Sequence, residues 1–237
     1  MNHSSGAVNY GKEQVYFSVL YSARKTLGIE VHPDGNVLVK APVGTEPEEI
    51  HQKVFKHVRW ILRQQQYFRQ FDPRTPGRQF VGGETHLYLG RQYRLKIING
   101  SQDSVKLIRG YFRVELKSPP CSDRIKYLLD RWYAEKAANK FKENFDRCWP
   151  YFEKFNQMKP RLHIRCMRKR WGSLSKNGLL TLNTDLIRAP VACIEYVITH
   201  ELCHIQFHNH SSDFYRLLEK VMPDWEKRKH RLELALV

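Results

Sequence analysis

The pentad His200-Glu201-Leu202-Cys203-His204 constrains the fold of this chain more than any other stretch of its 237 residues. Residues four apart lie on one face of an α-helix, so His200 and His204 can direct two imidazoles to one point. Glu201 is close enough to touch a water molecule held there but badly placed to be a ligand. Around the pentad, apolar residues recur at helical spacing: Ile194, Val197, Ile198, Leu202 and Ile205. The sequence therefore predicts a helix that carries two metal ligands and a neighbouring general base.

A third ligand is expected from the residues that follow the pentad, where His208 and His210 are the candidates. In an unbroken helix His208 would extend the same stripe, but three ligands in line on one helix cannot converge on a tetrahedral metal. If the chain turns out of the helix, His210 arrives from another direction, and Asn209 can take the left-handed conformation common at helix ends. The separation of His204 from His210 also equals that of the metzincin pattern, although Phe207 replaces its glycine. We therefore favour His210 over His208.

Cysteine content and hydropathy favour an intracellular protein. No stretch approaches the roughly 18 consecutive apolar residues of a membrane span. Residues 1–12 lack the apolar core of a signal peptide. The cysteines are odd in number and form no C-x-x-C pair, which indicates reduced thiols in the cytoplasm; they are Cys121, Cys148, Cys166, Cys193 and Cys203.

The chain is strongly basic, with 40 Lys and Arg against 24 Asp and Glu and a net charge of +16. The excess is spread over both halves rather than collected in a tail. Such a charge suits a polyanionic partner, either nucleic acid or a phosphorylated substrate. The basic cluster nearest to the pentad consists of Arg161, Arg165, Arg168, Lys169 and Arg170. It predicts a basic lining close to the metal.

The pattern of apolar and turn residues predicts an α+β fold with two domains. Residues 1–120 are expected to form a β-rich domain with one helix, and residues 121–237 a mainly helical catalytic domain with a small β-hairpin. Strands are predicted at 15–21, 29–32, 37–40, 85–89, 92–98, 105–109 and 111–116. The first three are expected to form an antiparallel meander. A helix is predicted over 45–71, and Pro119-Pro120 is interpreted as a linker. No internal repeat is evident.

In the second half, a long helix is predicted from Ser122 onward. Residues 163–167 and 179–182 are expected to form a hairpin around the turn at 175–178. After His210 a further helix is expected, with Ser211 as its N-cap.

Several short motifs together resemble those of the YgjP-like family of metal-dependent hydrolases, which is related to the SprT-like and WLM zinc peptidases. They are Val81-Gly82-Gly83-Glu84, Leu89-Gly90-Arg91-Gln92-Tyr93, Arg170-Trp171-Gly172-Ser173, Leu182-Asn183, the pentad, Asn209-His210-Ser211 and Pro223-Asp224-Trp225. The resemblance covers most of the chain. It implies that residues 121–237 form a zincin-like catalytic domain, with a zinc ion bound by His200, His204 and His210 and with Glu201 as the catalytic glutamate. Leu174 and Thr184 replace a cysteine and a frequent tryptophan of the family pattern, and these differences concern substrate contacts rather than ligands.

Three functional hypotheses follow. The first is a zinc-dependent hydrolase, or one using another divalent metal, in which metal-activated water attacks a peptide bond with Glu201 as general base. The second is a nucleoside triphosphate pyrophosphatase that uses the same residues. The third is a basic nucleic-acid-associated binding protein with a structural metal, but such a site has no use for Glu201 and usually has four protein ligands.

The candidate substrate-binding residues are Arg168, Lys169, Arg170 and Asn183, and the strand at 179–182 is expected to form a wall beside the metal. Arg170, Trp171 and Asn183 could equally have structural roles.

Overall fold

The computed structural model describes residues 3–32, 34–70, 77–155, 158–168 and 170–236. The chain forms two compact units, Met1–Thr75 and Pro76–Leu236. The boundary predicted between residues 120 and 121 falls inside the second unit. Although Pro119-Pro120 has the composition of a linker, Leu116 before it and Ile125 after it belong to one hydrophobic core.

The first unit is a four-stranded sheet followed by one helix. In chain order these elements are β1 (His3–Tyr10), β2 (Glu13–Ser22), β3 (Gly28–Val31), β4 (Val37–Pro42) and α1 (Pro47–Arg69). The strand order is β1-β2-β4-β3. A single apolar stripe of α1 is buried, and it consists of Ile50, Val54, Val58 and Ile61. The helix packs on the sheet through this stripe, as its helical spacing predicts.

The predicted meander is wrong in one pairing. β3 and β4 form an antiparallel hairpin as expected, but β2 pairs with β4 in parallel, which leaves β3 at the edge. The alternation of apolar residues shows which face of a strand is buried and does not show which strand lies beside it. β1 was not predicted, because this edge strand pairs on one side only and has few buried residues.

The second unit begins with the same topology. β5 (Thr85–Tyr88), β6 (Arg91–Asn99), β7 (Ser104–Ile108) and β8 (Tyr111–Leu116) are followed by the long helix α2 (Ser122–Cys148). The strand order is β5-β6-β8-β7, and β6 pairs with β8 in parallel. The order and directions repeat those of β1 to β4, although the sequence shows no evident repeat.

The described remainder of the second unit contains a small sheet, three α-helices and three short 3-10 helices at Trp149–Tyr151, Glu153–Phe155 and Thr184–Arg188. The strands and α-helices are β9 (Arg161–Arg165), β10 (Gly172–Leu174), β11 (Leu179–Asn183), α3 (Val191–Cys203), α4 (Ser212–Val221) and α5 (Trp225–Leu236). The predicted hairpin of 163–167 with 179–182 is wrong. The turn at 175–178 instead joins β10 to β11 in antiparallel pairing, and β9 lies parallel to β11 on its other side. With only three residues, β10 has no periodicity that sequence analysis could detect.

The prediction of a mainly helical catalytic domain is also wrong. The unit that carries the pentad is mixed α+β, with β5 to β8 and β9 to β11 accompanying its helices. The error arose because the boundary at residue 120 assigned β5 to β8 to another domain. In the parts of the chain that the structure describes, no helix is both long and apolar enough to span a membrane.

The four-stranded sheet of the second unit fixes the start of α3. The N–H of Leu89 donates to the carbonyl of Ile187 at 3.0 Å, and the N–H of Gly90 donates to that of Arg188 at 2.9 Å. Gly90 has a φ of 78°, and a Cβ there would lie 2.6 Å from Cγ of Pro190. A glycine is therefore required where the β5–β6 turn meets the residue that caps α3.

Candidate metal centre and active site

Three histidines meet at the C-terminal end of α3. His200 lies in its last turn, His204 is its C-cap, and His210 lies between α3 and α4. One ring nitrogen from each lies within 4.8 Å of the others. The Nε2 atoms of His200 and His210 are 3.0 Å apart. His208 is exposed and lies outside this cluster of described residues.

The chain delivers His210 by ending the helix early. The N–H groups of Gln206 and Phe207 both donate to the carbonyl of Cys203 at 3.1 Å, which turns the chain away from the helix axis. The prediction that Asn209 adopts the left-handed conformation is wrong, since Asn209 is not among the described residues with positive φ. The predicted N-cap is confirmed, because the Ser211 side chain accepts a hydrogen bond from the N–H of Phe214.

The chemistry of the three imidazoles fits a divalent metal ion. Nδ1 of His204 lies 2.8 Å from the carbonyl oxygen of Phe207. A carbonyl only accepts, so this Nδ1 carries the proton and Nε2 keeps its lone pair. Two neutral ring nitrogens that face each other, as in His200 and His210, need a shared cation or proton between them. Three imidazoles are a donor set that suits zinc.

The aromatic ring of Phe214 supports all three histidines. Its centroid lies 5.0 Å from that of His200, 4.8 Å from that of His204 and 4.7 Å from that of His210. The side chain is fully buried. It therefore fixes the three rings and excludes water from one side of the cluster. The sequence predicts the helix that carries Phe214 but does not indicate that this side chain contacts the histidines.

Burial favours the neutral forms of His200 and His210. It lowers the pKa of His200 to about 4, and the neighbouring imidazoles and Lys229 act in the same direction. The pKa of His210 is also lowered, first by burial and then by His204 and Lys229. Neutral imidazole is the form that binds metals.

Glu201 is buried between α3 and β10. A Cβ on Gly172 would lie 2.8 Å from Cγ of Glu201 and 2.9 Å from its Oε1, so only glycine fits at that position of β10. The carboxylate accepts a hydrogen bond from the backbone N–H of Leu174. Burial raises the pKa of Glu201 to about 7, whereas the Leu174 N–H and the Arg170 guanidinium act to lower it. The sequence does not indicate this contact between Gly172 and Glu201.

Asn183 fixes the loop that precedes β10. Its side-chain N–H groups donate to the carbonyls of Met167 at 2.8 Å and Arg170 at 3.1 Å. Its Oδ1 accepts from the N–H groups of Met167 at 3.3 Å and Asp185 at 3.2 Å. The amide is buried, and these bonds use all of its donors and acceptors. They leave no polar group of Asn183 for the predicted substrate contact.

Two other predicted substrate-binding residues, Arg168 and Arg170, lie on this loop. Both are exposed, and Arg170 is close enough to Glu201 to act on its pKa. Lys169 lies outside the described residues.

Comparison with known proteins agrees with the resemblance found in the sequence. A family model described as YgjP-like, metallopeptidase domain matches residues 25–235. The metallopeptidase zymogen abylysin of Pyrococcus abyssi is 24% identical, with a TM-score of 0.35 over 39% of this chain and 90% of its own. The metallopeptidase zymogen jannalysin of Methanocaldococcus jannaschii is 19% identical, with a TM-score of 0.37 over 41% of this chain and 91% of its own.

TM-scores this low support no inference about the present structure. A search of curated proteins gave no match. The family model, by contrast, extends over most of the chain and includes the three histidines and Glu201. The chain therefore belongs to the YgjP-like metallopeptidase family and is a metal-dependent hydrolase.

Proposed function

We propose that this protein hydrolyses peptide bonds with a zinc ion held by His200, His204 and His210 and with Glu201 as the general base. The observation that carries the proposal is the convergence of three imidazoles next to a buried carboxylate. Membership of a metallopeptidase family supports a peptide as the substrate. Another divalent metal with a preference for imidazole would fit the same donors.

The residues of the centre have distinct roles in this mechanism. When bound, the metal supplies a Lewis acid that polarises the scissile carbonyl and lowers the pKa of a water molecule. The carboxylate of Glu201 accepts the proton of the attacking water and passes it to the leaving nitrogen. The Leu174 N–H orients that carboxylate, and Phe214 keeps water from the far side of the histidines.

The pairing of β10 indicates where an extended substrate would lie. The N–H of Asn183 donates to the carbonyl of Trp171 at 2.9 Å, and that of Ser175 donates to the carbonyl of Leu179 at 3.0 Å. In an antiparallel pair, alternate residues bond the partner strand. Trp171, Ser173 and Ser175 therefore face β11.

The intervening residues of β10, Gly172 and Leu174, direct their backbone groups away from β11. No described strand pairs with this outer edge. Because Glu201 contacts both residues, the edge runs past the general base. The N–H of Leu174 already donates to Glu201, so a peptide that adds to this edge would bond to the carbonyl of Leu174 and to the backbone of Gly172, which would place it beside the metal. The strand predicted as the neighbouring wall, now β11, is instead central and paired on both sides.

The free cysteines and the basic charge bear on location and partners. All five cysteines lack disulfide partners, which suits the reducing cytoplasm that we propose as the site of action. Association with nucleic acid would rest on the net charge of +16 alone.

Glu201→Gln, compared with Glu135→Gln at an exposed position of α2, tests the proposal. We expect Glu201→Gln to lower kcat on an unfolded protein substrate by about 10²- to 10⁴-fold, the usual contribution of general base catalysis. Its zinc content, measured by elemental analysis, should equal that of the wild type. Glu135→Gln should change neither.

The same preparations would be tested on nucleoside triphosphates, since Arg168 and Arg170 could hold phosphates. If the wild type releases pyrophosphate and cleaves no peptide, the substrate is a nucleoside triphosphate rather than a peptide. If Glu201→Gln hydrolyses peptides at the rate of the wild type, Glu201 is not the general base.

A further inference from the structure

A cleft of about 360 Å³ adjoins the three histidines. It is lined by His204 of the metal centre and by Leu174 of the substrate edge on β10. A side chain of a peptide bound along β10 would therefore enter it close to the bond that is cleaved. The volume is at the lower end for ligand sites, which suits one side chain better than a large cofactor.

The lining of the cleft combines apolar groups with positive charge. Met158, Pro160, Leu174 and Ile205 supply apolar surface, whereas Lys176 and His208 supply polar groups. Lys176 lies in the turn between β10 and β11 and is exposed. No carboxylate is among the described residues that line the cleft.

Two further cations lie near the centre. Lys229 is close enough to act on both His200 and His210, and Arg170 is close enough to act on Glu201. Lys176, Arg170 and Lys229 come from three different segments of the chain. Positive side chains at a concave site attract ligands of the opposite sign.

We propose that this cleft selects an acidic residue of the substrate, glutamate in particular, next to the cleaved bond; this inference rests on the proposed peptidase function. The methylene groups of glutamate would pack against Met158, Pro160 and Ile205, and its carboxylate would pair with Lys176. The apolar lining favours a side chain over a phosphodiester, which has no apolar stem. The substrate class is thus an acidic peptide segment.

The test uses three extended peptides that differ only in one central residue, which is glutamate, glutamine or lysine. The variant is Lys176→Glu. The control is Lys220→Glu, which makes the same change in net charge at an exposed position of α4 outside the cleft lining. For the wild type we expect kcat/KM to be about fivefold or more higher for the glutamate peptide than for the lysine peptide, as for one partly exposed ion pair. Lys176→Glu should reverse this order, and Lys220→Glu should keep it.

Binding provides a readout that does not depend on hydrolysis. Fluorescence anisotropy with zinc-loaded Glu201→Gln should give the same order of affinities, and Lys176→Glu in that background should reverse it. If the order of affinities holds but the wild type cleaves no peptide, the proposed function fails and the acidic specificity stands.

Three results would overturn the inference. The first is peptide cleavage and binding with no preference for charge. The second is an equal effect of Lys176→Glu and Lys220→Glu, which would assign the preference to net charge rather than to the cleft. The third is displacement of the glutamate peptide by a nucleoside triphosphate or a short single-stranded oligonucleotide, if this displacement is lost in Lys176→Glu. The cleft would then be a phosphate-binding site.

Discussion

The four strands and helix of the first unit have the same topology as β5 to β8 and α2 of the second, but the two helices are buried differently. α1 buries one stripe of four residues against its own sheet. α2 buries ten residues, because it contacts β7, β9 and α3 as well as the residues that precede α3. One motif therefore ends as a sheet covered by a helix, whereas the other supports the helix that bears the pentad. The topology is shared, and the function resides in what packs on the second helix.

Buried polar groups show the same contrast. In the described chain they all lie in the second unit, and they are His86, Asn144, Thr181, Asn183, Thr199 and Glu201. His86 shows what such burial does, since desolvation lowers its pKa to about 4 although Glu84 lies 3.3 Å away. Buried polar groups cost stability unless they are paired. Asn183 is fully paired, whereas among the described residues the buried Oδ1 of Asn144 in the second unit and the buried Nε of Arg24 in the first have no hydrogen-bond partner.

The largest expected effects on stability come from truncating one buried residue in each of the two hydrophobic cores. Phe141 of α2 and Ile61 of α1 are both fully buried, and they belong to different hydrophobic clusters. We expect Phe141→Ala to lower the free energy of unfolding by about 3–5 kcal/mol and Ile61→Ala by about 2–5 kcal/mol. Hydrogen exchange should show lost protection within 77–236 for Phe141→Ala and within 3–70 for Ile61→Ala. Loss of protection in both units by either variant would show that the cores are not independent.

A smaller effect is expected from two crowded glycines, one in each unit. A Cβ on Gly172 would collide with Glu201, and a Cβ on Gly6 would lie 2.5 Å from Cζ of Phe17. Each substitution by alanine should cost about 1–3 kcal/mol of stability through overpacking. Gly172→Ala should also lower kcat by about 10²-fold, because a displaced general base loses its alignment.

Measurements of kcat should distinguish Gly172→Ala from Gly6→Ala. Gly6→Ala should leave kcat unchanged, and Gly172→Ala should keep the zinc content of the wild type. Gly82→Ala, where a Cβ would meet no atom within 4 Å, controls for the loss of glycine itself. Equal kcat values for Gly172→Ala and Gly82→Ala would show that Gly172 does not position Glu201.

The candidate ligands could be derived from the sequence because their geometry is mostly local. The spacing of His200 and His204 on a helix and the need for a turn before His210 are short-range properties. The contact of Gly172 with Glu201 and the hydrogen bonds of Asn183 to Met167 and Arg170 could not be derived. Both depend on β10, which has no detectable period and is placed by pairing with β11.

Strand positions were also easier to predict than strand neighbours. Alternation located β2, β4, β6 and β8, but the parallel pairs β2–β4 and β9–β11 were not foreseen, because alternation carries no information about partners. The domain boundary followed from Pro119-Pro120. It divided residues such as Leu116 and Ile125 that share a core, and this division made the catalytic half look mainly helical.

The metal content of two neighbouring histidine variants tests the central claim most directly. His210 belongs to the cluster in the second unit, whereas His208, two residues earlier, is exposed outside it. After purification with zinc, elemental analysis should find an equimolar amount in the wild type and in His208→Ala, and almost none in His210→Ala. Equimolar zinc in His210→Ala, or its loss in His208→Ala, would contradict the three-histidine centre.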